Sequence, residues 1–149
     1  MSPSDLKSFE IYIDGASRGN PGPAAIGVII SCQGIVVKNI SAYIGESTNN
    51  VAEYTALIYA LEESLLQKAD QLDIKTDSEL LFKQINGNYK VKNATLKIHF
   101  DKAKHLLTGF KKVTISYIPR SENKGADKLA NMAFKVISKK PQAKAIARS

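Results

Sequence analysis

The sequence predicts an α/β protein with a mixed, five-stranded sheet and helices on the faces of that sheet. Three observations support this prediction. Residues 9–44 carry strand-like patterns in succession, residues 47–137 alternate between helical and strand-like patterns, and 149 residues suffice for one domain with its own core. We therefore expect a single domain over residues 1–149, with its core at about 8–137 and a basic tail at 138–149.

The first three predicted strands form an antiparallel meander. Apolar and polar side chains alternate over residues 9–14, which predicts a half-buried strand that ends on Asp14. Two more continuously apolar strands are expected at 24–31 and 34–44, and Gln33–Gly34 indicates a tight hairpin turn between them.

The remainder of the chain alternates between helices and strands. The spacing of apolar residues changes to a helical period after residue 47 and returns twice to short, strand-like runs. Strands are expected at 71–77, which ends on Asp77, and at 112–118; helices are expected at 47–69, 78–85, 94–110 and 126–137. The resulting order β-β-β-α-β-α-α-β-α is typical of a mixed sheet covered by helices.

Charge is distributed unevenly along the chain, which has a net charge of +7. Residues 1–82 carry five Lys or Arg and eleven Asp or Glu, whereas residues 83–112 carry eight lysines and one aspartate. This asymmetry indicates either a polyanionic partner lying across an acidic centre or solvated lysines on helix surfaces. The single cysteine, Cys32, and the lack of a signal peptide or a membrane-length apolar run predict a cytoplasmic protein that binds no membrane.

Four acidic residues fall where their carboxylates can meet at one end of the sheet. Asp14 and Asp77 end predicted strands, Glu53 lies near the start of the first long helix, and Asp127 lies at the start of the last one. Converging carboxylates repel one another unless a cation lies between them, and hard oxygen ligands suit Mg²⁺ or Mn²⁺. Such a cluster can hold two ions, which predicts phosphodiester hydrolysis. Taken singly, each acid also has a structural explanation, as a turn residue, a solvated helix residue or a helix cap.

Four segments, in order, resemble the type 1 ribonuclease H family over about residues 8–137. They are DGASRGNPGPAAIG after the first strand, TNNVAEYTAL at the first long helix, TDSELL after the fourth strand and PRSENKGADKLAN at the last helix. The resemblance implies a ribonuclease H-like fold, with an antiparallel meander plus two parallel strands and helices on both faces. It also implies a metal-dependent endoribonuclease that cleaves the RNA strand of an RNA·DNA hybrid with two Mg²⁺ ions, or with Mn²⁺ in their place. The products would carry 3′-hydroxyl and 5′-phosphate ends.

The resemblance also assigns roles to individual residues. The catalytic and metal-binding acids would be Asp14, Glu53, Asp77 and Asp127. Substrate contacts would come from Gly15, Asn20, Thr48, Asn49 and Asn50. The DNA phosphate would lie near Asn20 and Thr48 and the RNA near Asn49 and Asn50, and contacts to the 2′-hydroxyl would distinguish RNA from DNA. A monomer is expected, and the sequence leaves open whether an RNA·RNA duplex is also cleaved.

Three features depart from the family pattern. Many members carry a histidine in the loop before the last aspartate, where YIPRSENKGAD has none; Arg120 or Glu122 is a candidate for part of its role, in substrate contact, product release or proton handling. The chain has no tryptophan, so the short basic segment NGNYKVKNATLK stands in place of the basic protrusion of some members. Glu79 occupies a position where some members have a substrate-contacting amide, and its charge would repel phosphate.

Three other functions fit parts of the same pattern. An inactive relative could bind hybrid or duplex RNA without cutting it, although the presence of all four acids disfavours this. A sugar kinase or actin-like ATPase has an aspartate and a glycine loop after its first strand, but needs two such domains. An integrase-like or junction-resolving nuclease belongs to the same superfamily, but NNVAEYTAL and GNPG fit ribonuclease H more specifically.

Overall fold

The computed structural model describes residues 5–138 and contains a five-stranded sheet and four α-helices within that range. The elements are β1 (Ser8–Ser17), β2 (Gly22–Cys32), β3 (Ile35–Ser47), α1 (Asn49–Leu66), β4 (Gln71–Thr76), α2 (Glu79–Ile85), α3 (Ala94–Leu107), β5 (Lys112–Tyr117) and α4 (Lys124–Ser138). Their order is the one predicted from the sequence. The predicted basic tail lies outside the described residues from residue 139 onward.

The sheet has the strand order β3-β2-β1-β4-β5. β2 pairs antiparallel with both β1 and β3, whereas β1, β4 and β5 run parallel to one another. Gln33 and Gly34 join β2 to β3 with φ angles of 51° and 79°, as a two-residue hairpin turn requires. The predicted antiparallel meander with two parallel strands is therefore confirmed.

β1 does not end on Asp14, so that expectation was wrong. Pairing with β4 ends at Ile13 and Thr76, but pairing with β2 continues as far as Ser17. Small residues follow Asp14 in the sequence, so the apolar alternation fades although the hydrogen-bonded ladder continues. Asp14 consequently lies inside a continuous strand, at the point where the neighbouring parallel strand stops.

The main core lies between the sheet and α1, and α3 adds to it by packing against α1. Its fully buried side chains include those of Phe9, Ile11, Ile13, Tyr54, Leu57, Leu61 and Ile74. Burial of each large apolar side chain stabilises the fold by about 1.5–3 kcal/mol relative to its exposure. α4 packs on the opposite face, against β2, β3 and β1, where Ala25 and Phe134 belong to a smaller cluster. Among residues 5–138, no helix has the length and apolar character needed to cross a membrane.

Two glycines bring a helix close to each face of the sheet beside Asp14. A Cβ atom on Gly15 would overlap the backbone of Ala52 in α1, and one on Gly27 would overlap the carbonyl oxygen of Ala126 in α4. Gly27 is the residue directly opposite Asp14 in the β1–β2 ladder. Since no side chain fits at either position, both helices can approach the strand that carries Asp14.

The Gly27→Ala substitution is expected to lower the free energy of unfolding by about 1–3 kcal/mol, because the added methyl group pushes α4 away from the sheet. Denaturant unfolding of this variant should be compared with that of Gly34→Asn. Gly34 has no neighbour within 4 Å of an added Cβ, and asparagine tolerates its positive φ. Equal losses in the two variants would contradict the close approach of α4.

Candidate active site

Asp14, Glu53 and Asp77 come together where β4 ends. Each contributes one carboxylate oxygen to a group in which all atoms lie within 4.8 Å of one another. Asp77 directly follows Thr76, which forms the last register pair between β4 and β1 with Ile13. Asp77 therefore lies beside Asp14 because the two strands run parallel and in register.

Asp127 approaches the same place from α4. It lies in the first turn of that helix, and it is close enough for its charge to raise the pKa of Asp14. Asp14 and Asp127 also line a cavity of about 270 Å³ together with Glu53, Asp77 and Arg120. The four predicted acids thus lie around one cavity, with three of them in the tighter group.

Glu53 reaches the cluster from α1, on the face of the sheet opposite α4. Its Oε1 accepts a hydrogen bond from the backbone N–H of Gly15 at 2.7 Å, and only 5% of the residue is exposed. A glutamate on a solvated helix surface would be neither buried nor bound to a strand amide. The explanation of Glu53 as a solvated helix residue therefore does not hold.

Asp77 is not the cap of the helix that follows it. Ser78 is the N-cap of α2, because its hydroxyl oxygen accepts the N–H of Leu81 at 3.2 Å. The carboxylate of Asp77 instead accepts a hydrogen bond from Nδ2 of Asn123 at 3.2 Å. With the capping role filled by its neighbour, Asp77 is available to the acidic cluster.

Burial and mutual repulsion raise the pKa values of the two innermost acids. Burial, followed by the nearby charges of Asp77 and Asp127, raises the pKa of Asp14 to about 8. Burial and the charges of Asp14 and Asp77 raise the pKa of Glu53 well above its ordinary value, although the Gly15 N–H and the Arg120 charge act against this. A cation among these oxygens would relieve the repulsion. Carboxylate oxygens are the ligands that Mg²⁺ and Mn²⁺ prefer, so the residues present fit a hard divalent cation.

The predicted substrate-contacting residues lie at the start of α1 and in the loop between β1 and β2. Thr48 is the N-cap of α1 and accepts the N–H of Val51 at 3.2 Å. Oδ1 of Asn20 accepts the backbone N–H of Asn49 at 3.1 Å, and Oδ1 of Asn49 accepts the N–H of Ser17 at 3.3 Å. Because these bonds use the amide oxygens, the NH₂ groups of both asparagines remain as donors to a bound molecule.

Two concave surfaces flank the start of α1. Gly15 and Asn49 line the acidic cavity, whereas Asn20, Thr48 and Asn50 line a groove of about 880 Å³ bordered by β3, α1 and α3. Arg120 lies at the acidic cavity, 3.5 Å from Asp127, with 82% of its side chain exposed. The predicted residues are therefore divided between an acidic cavity and a neighbouring groove.

Glu79 carries a compensated charge in this structure. Nζ of Lys83 lies 3.2 Å from Oε1 of Glu79 and donates a hydrogen bond to the Tyr89 hydroxyl at 3.1 Å. The repulsion of phosphate expected at this position is consequently weaker than the sequence alone indicates.

Asn123 was missed by the reasoning from sequence. An asparagine immediately before a helix is usually interpreted as an N-cap, whereas here the side chain turns inward and is 1% exposed. Its Nδ2 donates to Asp77 and to the carbonyl oxygen of Ile13. Sequence spacing carries no signal for this burial, because the surrounding loop is polar.

The sheet order and the acidic cluster define a ribonuclease H-like α/β protein. Residues 12–133 match the protein family described as "Reverse transcriptase-like". Ribonuclease HI of Halobacterium salinarum is 46% identical over 124 residues, which are 83% of this chain and 62% of that protein. A ribonuclease H of Pseudomonas fluorescens is 35% identical, over 83% of this chain and 90% of its own length. The chain belongs to the type 1 ribonuclease H family.

Solved structures agree with this assignment. Ribonuclease H1 of Halobacterium salinarum superposes with a TM-score of 0.83 at 43% identity, covering 86% of this chain and 98% of that one. LC11-RNase H1, solved in complex with an RNA/DNA hybrid, gives a TM-score of 0.78 at 46% identity, with 84% and 95% coverage. The chain spans only part of several curated relatives, 62% of the Halobacterium salinarum protein and 35% of a bifunctional protein of Mycobacterium tuberculosis.

Proposed function

We propose that this chain is an endoribonuclease that uses divalent cations to hydrolyse the RNA strand of an RNA·DNA hybrid, leaving 3′-hydroxyl and 5′-phosphate ends. Asp14, Glu53, Asp77 and Asp127 would hold two Mg²⁺ ions, and Mn²⁺ would substitute. The carboxylate oxygens that lie within 4.8 Å of one another are the observation that carries the proposal. The similarity to a ribonuclease H1 solved with an RNA/DNA hybrid supports the substrate.

The residues of the chain hold the carboxylates in position. The Gly15 N–H fixes Glu53 at 2.7 Å, and the amide of Asn123 orients Asp77. Because burial raises the pKa values of Asp14 and Glu53, deprotonation of these acids is coupled to cation binding. Bound cations would polarise the phosphodiester and provide a nucleophilic water at neutral pH. All four acids come from one chain, which supports a site that is complete in a monomer.

The substrate would lie across the start of α1. The NH₂ groups of Asn20 and Asn49, which donate to no group among residues 5–138, suit phosphate and hydroxyl oxygens. We place the RNA backbone near Gly15 and Asn49, which line the acidic cavity, and near Asn50, which lines the neighbouring groove. The DNA backbone would lie near Asn20 and Thr48, farther along the same groove. Recognition of the 2′-hydroxyl by the residues near the RNA backbone would select the RNA strand for cleavage.

Arg120 would act through its charge. A guanidinium group stays protonated at all working pH values, so Arg120 cannot donate the proton that the leaving 3′-oxygen acquires. It lies at the acidic cavity, and its charge lowers the pKa values of Asp14 and Glu53. An exposed positive charge at this place can stabilise the developing negative charge on the phosphate.

The Arg120→Ala substitution is expected to lower kcat by about tenfold with a much smaller change in KM, because the charge acts mainly after the substrate has bound. Steady-state cleavage of a labelled hybrid measures both constants. Arg120→Lys, which keeps the charge, should recover part of the loss. Glu122→Gln is the neighbouring comparison: a loss of kcat in Glu122→Gln and not in Arg120→Ala would transfer the role to Glu122.

The proposed function can be tested with one end-labelled RNA in three forms: paired with DNA, paired with RNA, and single-stranded. Each form is incubated with the full chain in Mg²⁺, in Mn²⁺ and in chelator. We expect cutting of the hybrid in either metal and none in chelator. Product ends are identified by their response to phosphatase and to ligase.

Each alternative has a distinct outcome in this experiment. Hybrid binding without cutting in any metal would replace the enzyme with a binding module. Equal cutting of all three forms would indicate a nuclease of another class. Cleavage of the RNA·RNA duplex as well as the hybrid would show that the strand paired with the cleaved RNA can itself carry 2′-hydroxyls.

A further inference from the structure

A buried amide connects three of the four elements that carry the acids. Asn123 directly precedes α4, and its Nδ2 donates to the carbonyl oxygen of Ile13 at 2.8 Å and to Oδ2 of Asp77 at 3.2 Å. The backbone carbonyl oxygen of Asn123 accepts the backbone N–H of Asp127 at 3.2 Å. A single residue therefore links β1, the residue after β4, and the first turn of α4.

The end of β4 explains why the amide is needed at this place. Ile13 and Thr76 form the last register pair of β1 and β4. After Thr76 the chain turns into α2, and the N–H of Ser78 bonds to the side-chain oxygen of Thr76 at 3.0 Å. The carbonyl of Ile13 thus takes its donor from Asn123, because a buried carbonyl requires a partner. The same NH₂ group then fixes Asp77 against β1.

The hydrogen bonds of Asn123 indicate that its side chain serves as a hydrogen-bond donor and not as an acceptor. Both protons of its NH₂ group face acceptors, whereas its Oδ1 is buried with no hydrogen-bond partner among residues 5–138. An unpaired buried acceptor is unfavourable, so the oxygen does not explain the residue. A lysine or arginine donor would neutralise Asp77 and compete with a cation. A neutral amide orients the carboxylate and leaves its charge available.

We propose that Asn123 is a positioning residue for the divalent cation, which holds Asp77 beside Asp14 in the orientation that binds the ion. The inference rests on the proposed function, because that function requires the cation. It extends the proposal by assigning part of the metal affinity to a residue outside the acidic cluster. Asn123 acts through Asp77 and makes no contact with the substrate.

The test is a calorimetric titration of Mn²⁺ into the full chain without nucleic acid, which measures the Kd for Mn²⁺. Asn123→Ala and Asn123→Asp are expected to raise the Kd for Mn²⁺ by about tenfold to a hundredfold. The affinity of Asn123→Ala for the hybrid in chelator should be unchanged, because no substrate contact is removed. In cleavage assays, more Mn²⁺ should be needed for half-maximal rate, with KM for the hybrid unchanged.

Gln84→Ala is the matched control. Gln84 is also a buried amide, which accepts the Tyr54 hydroxyl at 2.8 Å and donates to the Lys90 carbonyl oxygen at 3.4 Å, and it does not line the acidic cavity. Its loss should lower the melting temperature and leave the Kd for Mn²⁺ as in the wild type. Equal weakening of Mn²⁺ binding in Gln84→Ala and Asn123→Ala would overturn the proposal, because it would reflect general destabilisation.

Other outcomes are equally decisive. An Asn123→Ala variant that melts earlier but binds Mn²⁺ like the wild type would reduce Asn123 to a purely structural residue. If that variant does not fold, Asn123→Ser, which keeps one donor proton, replaces it with an expected Kd between those of the wild type and Asn123→Asp. A wild-type chain that binds no Mn²⁺ and cuts no hybrid would reject the proposed function itself, independently of the variants.

Discussion

The Asp14→Asn variant is expected to lose RNA cleavage by at least about a thousandfold, while it still binds the hybrid. Asp14 belongs to the group of three close carboxylates, and it lines the acidic cavity together with Asp127. The charges of both Asp77 and Asp127 raise its pKa, so Asp14 is close to both of these acids. Asparagine keeps the shape of the side chain but removes the negative charge that would hold a cation. Cleavage of labelled hybrid under single-turnover conditions measures the loss without interference from product release.

Asp101→Asn is the control for this experiment. Asp101 is an exposed carboxylate of α3 that pairs with Lys97 at 2.6 Å, and it does not line the acidic cavity. Its removal should leave the cleavage rate unchanged. Retention of cleavage in Asp14→Asn would mean that the acidic cluster is not the centre of the reaction.

The metal-free protein is expected to lose a few kcal/mol of unfolding free energy between pH 5 and pH 8. The folded pKa of Asp14 is about 8 and its ordinary value is 3.8, so in this window the folded chain holds a proton that the unfolded chain has released. Stability falls with rising pH wherever the folded state binds more protons. The fall reaches about 1.4 kcal/mol per pH unit for one such group and levels off above about pH 8. Glu53, whose pKa is also raised, acts in the same direction.

Divalent cation should reverse this loss at high pH. At a concentration about 100 times the Kd, Mg²⁺ would add about 2.7 kcal/mol, which raises the melting temperature by about 5–10 °C for a chain of this size. At pH 5, protons on Asp14 and Glu53 compete with the cation, and the increase should be small. Thermal unfolding from pH 5 to pH 8, with Mg²⁺ and with chelator, measures both effects. Asp14→Asn should make the chelator profile less steep, with the part due to Glu53 remaining. A flat profile in the wild type would show that these acids ionise at ordinary pKa values.

Patterns of burial and spacing were sufficient to predict the sheet, the helices and the meeting of the acids. Asp77 could be placed because a parallel strand brings its carboxyl end to the same edge as its neighbour. Glu53 could be placed because helical spacing puts it on the apolar side of α1. The roles of these residues in metal binding and catalysis stay predictions.

The features that the sequence did not reveal depend on contacts between distant segments. The continuation of β1 past Asp14 depends on β2, and the inward rotation of Asn123 depends on where β4 stops. The closeness of α4 depends on Gly27, which the sequence presents as one small residue in an apolar run. None of these contacts has a local pattern that sequence periodicity can report.

The bond from Asn123 to Ile13 joins residues that are 110 positions apart, and it has a consequence for the life of the chain. A ribosome delivers Asp14 early and Asp127 late, so a nascent chain has most of its sheet before it has its last acid. If these acids form the reaction centre, that centre needs both β1 and α4 and cannot assemble on a fragment that lacks either one. An unfinished chain that lacks α4 would then be unable to cleave RNA, and proteolytic removal of α4 alone would inactivate a finished one.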